Sequence, residues 1–88
     1  MTRRTVIWLP DAEAQLAETW LASDCQNDVT TASQMIDRRL AENAESIGVD
    51  LSEGLRRLDE QPLRVIYEIL DDDMMVCIAS VRLVTSAL

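Results

Sequence analysis

Arg64-Val-Ile-Tyr-Glu-Ile-Leu-Asp-Asp-Asp-Met-Met-Val-Cys-Ile-Ala-Ser-Val-Arg-Leu-Val84 decides the fold class. Arg64–Leu70 and Met74–Val84 are rich in β-branched residues, and their pattern repeats every second residue, which is the period of a strand. Asp71–Asp73 separates them. Aspartate forms turns and tolerates left-handed backbone, so the three carboxylates read as a hairpin tip rather than a metal site. Tyr67, three residues after Arg64, must lie on the opposite face of its strand. If the tip is a three-residue loop, Leu70 pairs with Met74, Arg64 stands opposite Ser80, and Arg82 shares its face. A two-residue loop would put the two arginines on opposite faces.

Upstream, Leu55–Leu58 begins a further strand. Its Leu-Arg-Arg-Leu spacing breaks strict alternation and predicts a bulge or an edge position. Val49–Gly54 reads as a connection. Before it the period is helical. Ile36, Leu40, Ala44 and Ile47 form one stripe, opened by a capping box at Thr31-Ala-Ser-Gln34 and closed by Gly48. Ala12, Leu16 and Trp20, widened by Ala17 and Leu21, form another, so Trp20 is expected in the core. Ser23–Asp28 breaks the period between them, and so short a link makes the helices an antiparallel hairpin. Thr5–Leu9 is a buried strand, stopped at Pro10, which suits a helix's first turn. The order is βααβββ: an α+β domain with a mostly antiparallel sheet and a helical hairpin packed on one face. The other face is left to solvent or to a partner.

Eighty-eight residues make one domain, residues 1–88. There is no histidine, which removes a histidine general base and any histidine-containing zinc site. Sixteen acidic residues face eight basic ones, all arginine, for a net charge of −8. Such a chain repels polyphosphate, so non-specific nucleic-acid binding is not expected. Cys25 and Cys77 form no CxxC pair and read as buried thiols of a reducing cytoplasm. Val6–Leu9 is too short for a signal peptide's apolar region, and no run approaches a membrane span. The expectation is a soluble cytoplasmic protein without cofactor or metal.

Val6-Ile-Trp-Leu-Pro-Asp-Ala-Glu-Ala-Gln-Leu-Ala-Glu-Thr-Trp-Leu21 resembles the opening strand and first helix of the RelE/ParE superfamily of bacterial type II toxins, which includes plasmid-stabilisation proteins. Gly54-Leu-Arg-Arg-Leu58 and Leu63-Arg-Val-Ile-Tyr-Glu-Ile-Leu-Asp-Asp-Asp73 continue the resemblance, the latter to the family's tyrosine-arginine-hydrophobic-hydrophobic-tyrosine strand and acidic hairpin, with Leu63 in place of the first tyrosine. The pieces occur in order over nearly the whole chain. The resemblance implies a small toxin silenced by a cognate antitoxin. Its RelE-like members are ribosome-dependent mRNA endonucleases, and its ParE-like members poison DNA gyrase.

In the nuclease branch, arginine and lysine on the exposed sheet face activate the ribose hydroxyl and neutralise the cleaved phosphate. By resemblance Arg64 takes the position of the arginine opening the third strand, and Arg82 lies near the second. Asp59 stands where a nuclease carries lysine, Leu55 stands near another such position, and Val84 falls at the second arginine when no gap is allowed. Gly54–Leu58 looks more like the ParE branch. The reading ranked first is therefore a ParE-like toxin that acts by protein binding, with Arg56, Arg57, Arg64 and Arg82 as target-binding residues. The alternatives are a RelE-like endonuclease with Arg64 and Arg82 as catalytic residues, and a toxin fold that has lost toxicity. The plainer structural role for Arg64 is an ion pair at a strand edge, with Glu68 or an aspartate.

Overall fold

Among the described residues seven elements follow one another: strand β1 (Thr5–Trp8), helices α1 (Pro10–Ala22) and α2 (Gln26–Asn43), then strands β2 (Val49–Ser52), β3 (Leu55–Glu60), β4 (Leu63–Leu70) and β5 (Met75–Leu83). The structure, a computed structural model, describes residues 3–52, 54–70, 72 and 74–84. The five strands form one sheet in the order β1-β5-β4-β3-β2. Only β1 and β5 run parallel; every other pair is antiparallel. The helical hairpin is the crossover that returns the chain from β1 to the sheet, and it covers one face, as the sequence implied. Ala12, Val29, Ile36 and Leu40 from the helices meet Leu58, Leu63, Val65, Tyr67, Val76 and Ile78 from the strands.

The sequence reading is corrected at several points. The expected connection Val49–Gly54 contains β2, an edge strand exposed at all four positions. α2 starts at Gln26 rather than near Thr31, and no side chain caps its N-terminus. Burial of Val29 and Ala32 against the core extends the Ile36–Leu40 stripe backward by one turn and overrides the turn preference of Asn27 and Asp28. β3 is not an edge strand: it pairs without interruption with β4, from Leu55 opposite Glu68 to Glu60 opposite Leu63. Its ladder with β2 shifts register between Asp50 and Ser52, opposite Arg56 and Leu55, so the expected irregularity falls on the β2 side. Its Leu-Arg-Arg-Leu spacing arises because Leu58 enters the core while Leu55 is half-buried on the other face. Trp20 is 40% exposed and Leu21 73%, so the α1 stripe is buried only toward its start. Cys25 is exposed and Cys77 half-buried, both as free thiols. Of the Asp71–Asp73 turn only Asp72 is among the described residues.

Tyr67 locks the end of α2 onto the sheet. Its side chain is fully buried beneath the helices, on the face opposite Arg64 as the alternation requires. Its hydroxyl lies 3.0 Å from the Ala44 carbonyl oxygen and 2.9 Å from that of Ile47. These carbonyls follow the last turn of α2, where helical partners run out. Gly48 then turns the chain at φ +80, and a Cβ there would sit 2.6 Å from the Arg57 carbonyl oxygen and 2.7 Å from the Tyr67 hydroxyl. Glycine is required at this place for both reasons.

Candidate functional site on the open sheet face

Hydrogen-bonded neighbours across a sheet share a face, so the ladders define what the uncovered side presents. One row runs Asp59–Arg64–Arg82 across β3, β4 and β5. The next runs Val49–Arg57–Ile66–Ser80, and the one after it Ser52–Leu55–Glu68–Cys77–Ile7. The last described row is Leu70–Met75–Thr5. The face thus carries half-buried apolar side chains with an arginine cluster at one end.

A β-bulge brings Arg64 and Arg82 together. Leu70 pairs with Met75, so the hairpin connection has four residues, not the two or three read from the sequence. An even count alone would set Arg82 on the face away from Arg64. Between Tyr67 opposite Ile78 and Ile66 opposite Ser80 the register shifts, leaving Ala79 as the extra residue. One inserted residue reverses the parity of everything beyond it. Arg64 consequently stands directly opposite Arg82, and Val81 returns to the core after Val76 and Ile78. The Val81 N–H donates to Gln15 Oε1 of α1 at 2.9 Å, beyond the end of the β1 ladder. The slip of buried positions from Val76 and Ile78 to Val81 was the sequence signal for this bulge.

Asp59 organises the charges. Arg64 Nε and Nη2 donate to its two carboxylate oxygens at 2.7 and 3.1 Å, a bidentate pair with parallel donors. Arg57 Nε lies 3.7 Å from Asp59 Oδ1, longer than a hydrogen bond. The hydrogen bond from Arg64 holds the Asp59 carboxyl below its ordinary pKa, with the Arg64 and Arg57 charges adding to the effect against partial desolvation. The same hydrogen bond holds Arg64 above its ordinary value. The ion pair read for Arg64 is therefore present and its partner is an aspartate, but β4 is a central strand rather than an edge. Arg82 is exposed and makes no hydrogen bond or ion pair among the described residues.

Of the four target-binding candidates, Arg57, Arg64 and Arg82 share this face, and Arg56 does not. Arg56 pairs with Tyr67 on the helix side. Its Nη2 donates to the Ile47 carbonyl at 3.2 Å, and its Nη1 lies 3.4 Å from Asp50 Oδ1, so it ties the α2–β2 turn to the sheet. Adjacent residues of a strand cannot both reach one face.

A second feature lies on the helix side. Trp8, Leu16, Trp20, Leu21 and Val29 line an open groove of about 630 Å³ between α1 and α2. The Trp8 indole donates to Asp37 at 2.9 Å and the Trp20 indole to Thr30 at 3.1 Å. The sequence reading missed this groove by assigning Trp20 to the core. Among the described residues no three His, Cys, Asp or Glu side chains are grouped to hold a metal ion.

Neither the family models nor the curated proteins searched match this sequence. Solved structures do. A chain of the RelBE2 toxin-antitoxin complex from Mycobacterium tuberculosis superposes with a TM-score of 0.79 at 19% identity, covering 94% of this chain and 93% of that one. The chromosomal ParDE toxin-antitoxin system of P. aeruginosa gives 0.70 at 16% identity, covering 94% and 98%. The isolated E. coli RelE toxin gives 0.56 at 13% identity, covering 96% and 87%. The fold is that of the RelE/ParE toxins, as the sequence resemblance implied.

Proposed function

We propose that this chain, as one domain over residues 1–88, is the toxin component of a type II toxin–antitoxin pair. In this reading a cognate antitoxin neutralises it in the cytoplasm, and it acts by binding a protein target of the gyrase type. The fold shared with chains of toxin–antitoxin systems supports the toxin component. The occupied fork of Arg64 carries the choice of protein binding: its Nε and Nη2 are both spent on Asp59, so the residue matched to the nuclease branch does not offer its bidentate edge to a phosphate. Arginine also holds charge and does not move protons, and the arginine face presents no lysine, histidine or tyrosine to do so. Among the described residues no helix is long and apolar enough to cross a membrane.

Induced expression with and without the neighbouring gene tests the reading. Growth arrest relieved by the neighbour is expected, with loss of DNA supercoiling by purified gyrase when the protein is added. Unimpaired growth would favour a fold that has lost toxicity.

The direct cross-strand placement of Arg64 and Arg82, with Arg57 beside them, favours the RelE-like endonuclease as the second reading. A phosphate is best held by convergent donors. Cleavage of mRNA on programmed ribosomes that disappears in Arg64→Ala would replace the first reading with this one.

A further inference from the structure

We propose that Gln15 of α1 is a positioning residue that pins the outer half of β5 and so holds Arg82 in its place opposite Arg64. The β1 ladder stops at Trp8 opposite Ile78, and its last backbone bond runs from the Leu9 N–H to the Ile78 carbonyl at 3.0 Å. Pro10, which has no N–H to give, then opens α1. From Ala79 onward β5 therefore has β4 on one side and, among the described residues, no strand on the other. Val81 is only 4% exposed, so water does not serve its N–H in place of a strand. Gln15 Oε1 accepts from that N–H at 2.9 Å. Gln15 stands three residues after the fully buried Ala12 and next to Leu16, which packs against the core, on the stripe of α1 that faces the sheet. A half-buried glutamine on such a stripe is unfavourable against an aliphatic side chain unless its polar end is used. The bond also falls two residues past the extra residue Ala79, where the ladder with β4 has just been interrupted. One side-chain acceptor thus replaces the missing strand where the register is weakest, directly beside Arg82. Arg82 is held in this way whether or not it contacts a target, so the device does not depend on the toxin reading.

The test compares amide hydrogen exchange, followed residue by residue by NMR, in wild type, Gln15→Met and Gln15→Glu. Methionine keeps the unbranched length but offers only a weak thioether acceptor, whereas glutamate keeps an oxygen at the Oε1 position. In Gln15→Met the Val81 amide should exchange about ten- to a hundredfold faster, the factor that follows from leaving a buried donor unpaired. Protection along the β4–β5 ladder beyond Ala79 should fall with it, while Val76 and Ile78, flanked by both β1 and β4, keep theirs. Cross-strand NOEs between the Arg64 and Arg82 backbones should weaken in the same variant. In Gln15→Glu both the protection and the NOEs should stay as in wild type. Unchanged Val81 protection or unchanged NOEs in Gln15→Met would overturn the proposal. So would an equal acceleration at Val76 and Ile78, which is the mark of a general loss of stability, or the same losses in Gln15→Glu.

Discussion

Replacing Tyr67 by Phe tests how the helical layer is fixed to the sheet. The hydroxyl has one proton but two carbonyl oxygens within hydrogen-bond reach, at 3.0 Å on Ala44 and 2.9 Å on Ile47. Arg56 Nη2 also donates to Ile47, at 3.2 Å, so that carbonyl keeps a partner when the hydroxyl is removed. Ala44 is fully buried and has no such second donor among the described residues. The substitution therefore removes one hydrogen bond and leaves one buried carbonyl short, a cost of about 1–3 kcal/mol. For a chain of this size each kcal/mol shifts Tm by about 4–8 °C, so a fall of about 5–20 °C is expected. Urea unfolding followed by tryptophan fluorescence measures it, with the slope m unchanged if only the native contact is lost. Arg56→Ala in the same background should cost more than it does alone, by at least about 0.5 kcal/mol, because Ile47 then loses both donors. A loss below about 0.5 kcal/mol in Tyr67→Phe, or strict additivity with Arg56→Ala, would show that these carbonyls are satisfied in some other way.

Three further outcomes are expected. Gly54→Ala should cost only the left-handed backbone penalty of about 1–2 kcal/mol, since its φ is +86 and nothing lies within 4 Å of a Cβ there; Gly48→Ala should cost clearly more, and equal losses in thermal unfolding would contradict the close approach at Gly48. Because the folded-state pKa of Asp59 is lowered, its contribution to stability is complete above the unfolded value near pH 4 and is lost as pH falls through the folded value. The stability difference between wild type and Asp59→Asn should accordingly stay flat from about pH 5 to 8 and shrink only below about pH 4, and a change near neutrality would point to another group. A complex with an acidic antitoxin must draw its affinity from apolar burial, since this chain already carries −8. Raising salt should leave that complex intact or strengthen it, and a steep loss of affinity in a salt titration would refute the expectation.

What the sequence disclosed, and what it withheld, follows from where the physical signal is local. Arg64–Leu70 alternates cleanly because β4 is central and its helix-side residues Val65 and Tyr67 are fully buried; the placement of Tyr67 under the helices follows directly. The β2 strand carries no such signal. Val49-Asp-Leu-Ser52 is exposed throughout, and only pairing with β3 makes it a strand. The start of α2 was hidden because Asn27 and Asp28 favour turns locally, whereas Val29 is paid for by contacts distant in sequence. Arg56 and Arg57 illustrate the same limit for the candidate site. Their chemistry is identical in the sequence, and only the register against Tyr67 and Ile66 separates a residue that ties a turn from one that faces outward. The bulge at Ala79 mattered most, because one residue decides whether Arg64 and Arg82 meet.

The charge of −8 is not spread evenly, and that bears on which partners each side can accept. Away from the open sheet face three arginines are matched individually: Arg4 with Glu45, Arg39 with Glu60, and Arg56 with Asp50. The helical layer adds acid without an ion-pair partner among the described residues, with Asp11 and Glu13 in the first turn of α1 and Asp28 in that of α2, where the helix dipole favours carboxylates. The open sheet face departs from this pattern, with Arg57, Arg64 and Arg82 against Asp59 and Glu68. A molecule that repels anions overall therefore keeps a small local excess of positive charge on its uncovered face. At physiological salt the repulsion from distant carboxylates is screened within about 8 Å, while contacts within the cluster are not. Long-range encounter with a polyanion is disfavoured, yet a partner already docked on the apolar rows of that face meets arginine at short range. In the proposed reading, recognition on this side is ordered by shape first and charge second, which suits binding to a specific protein surface and opposes indiscriminate attachment to nucleic acid.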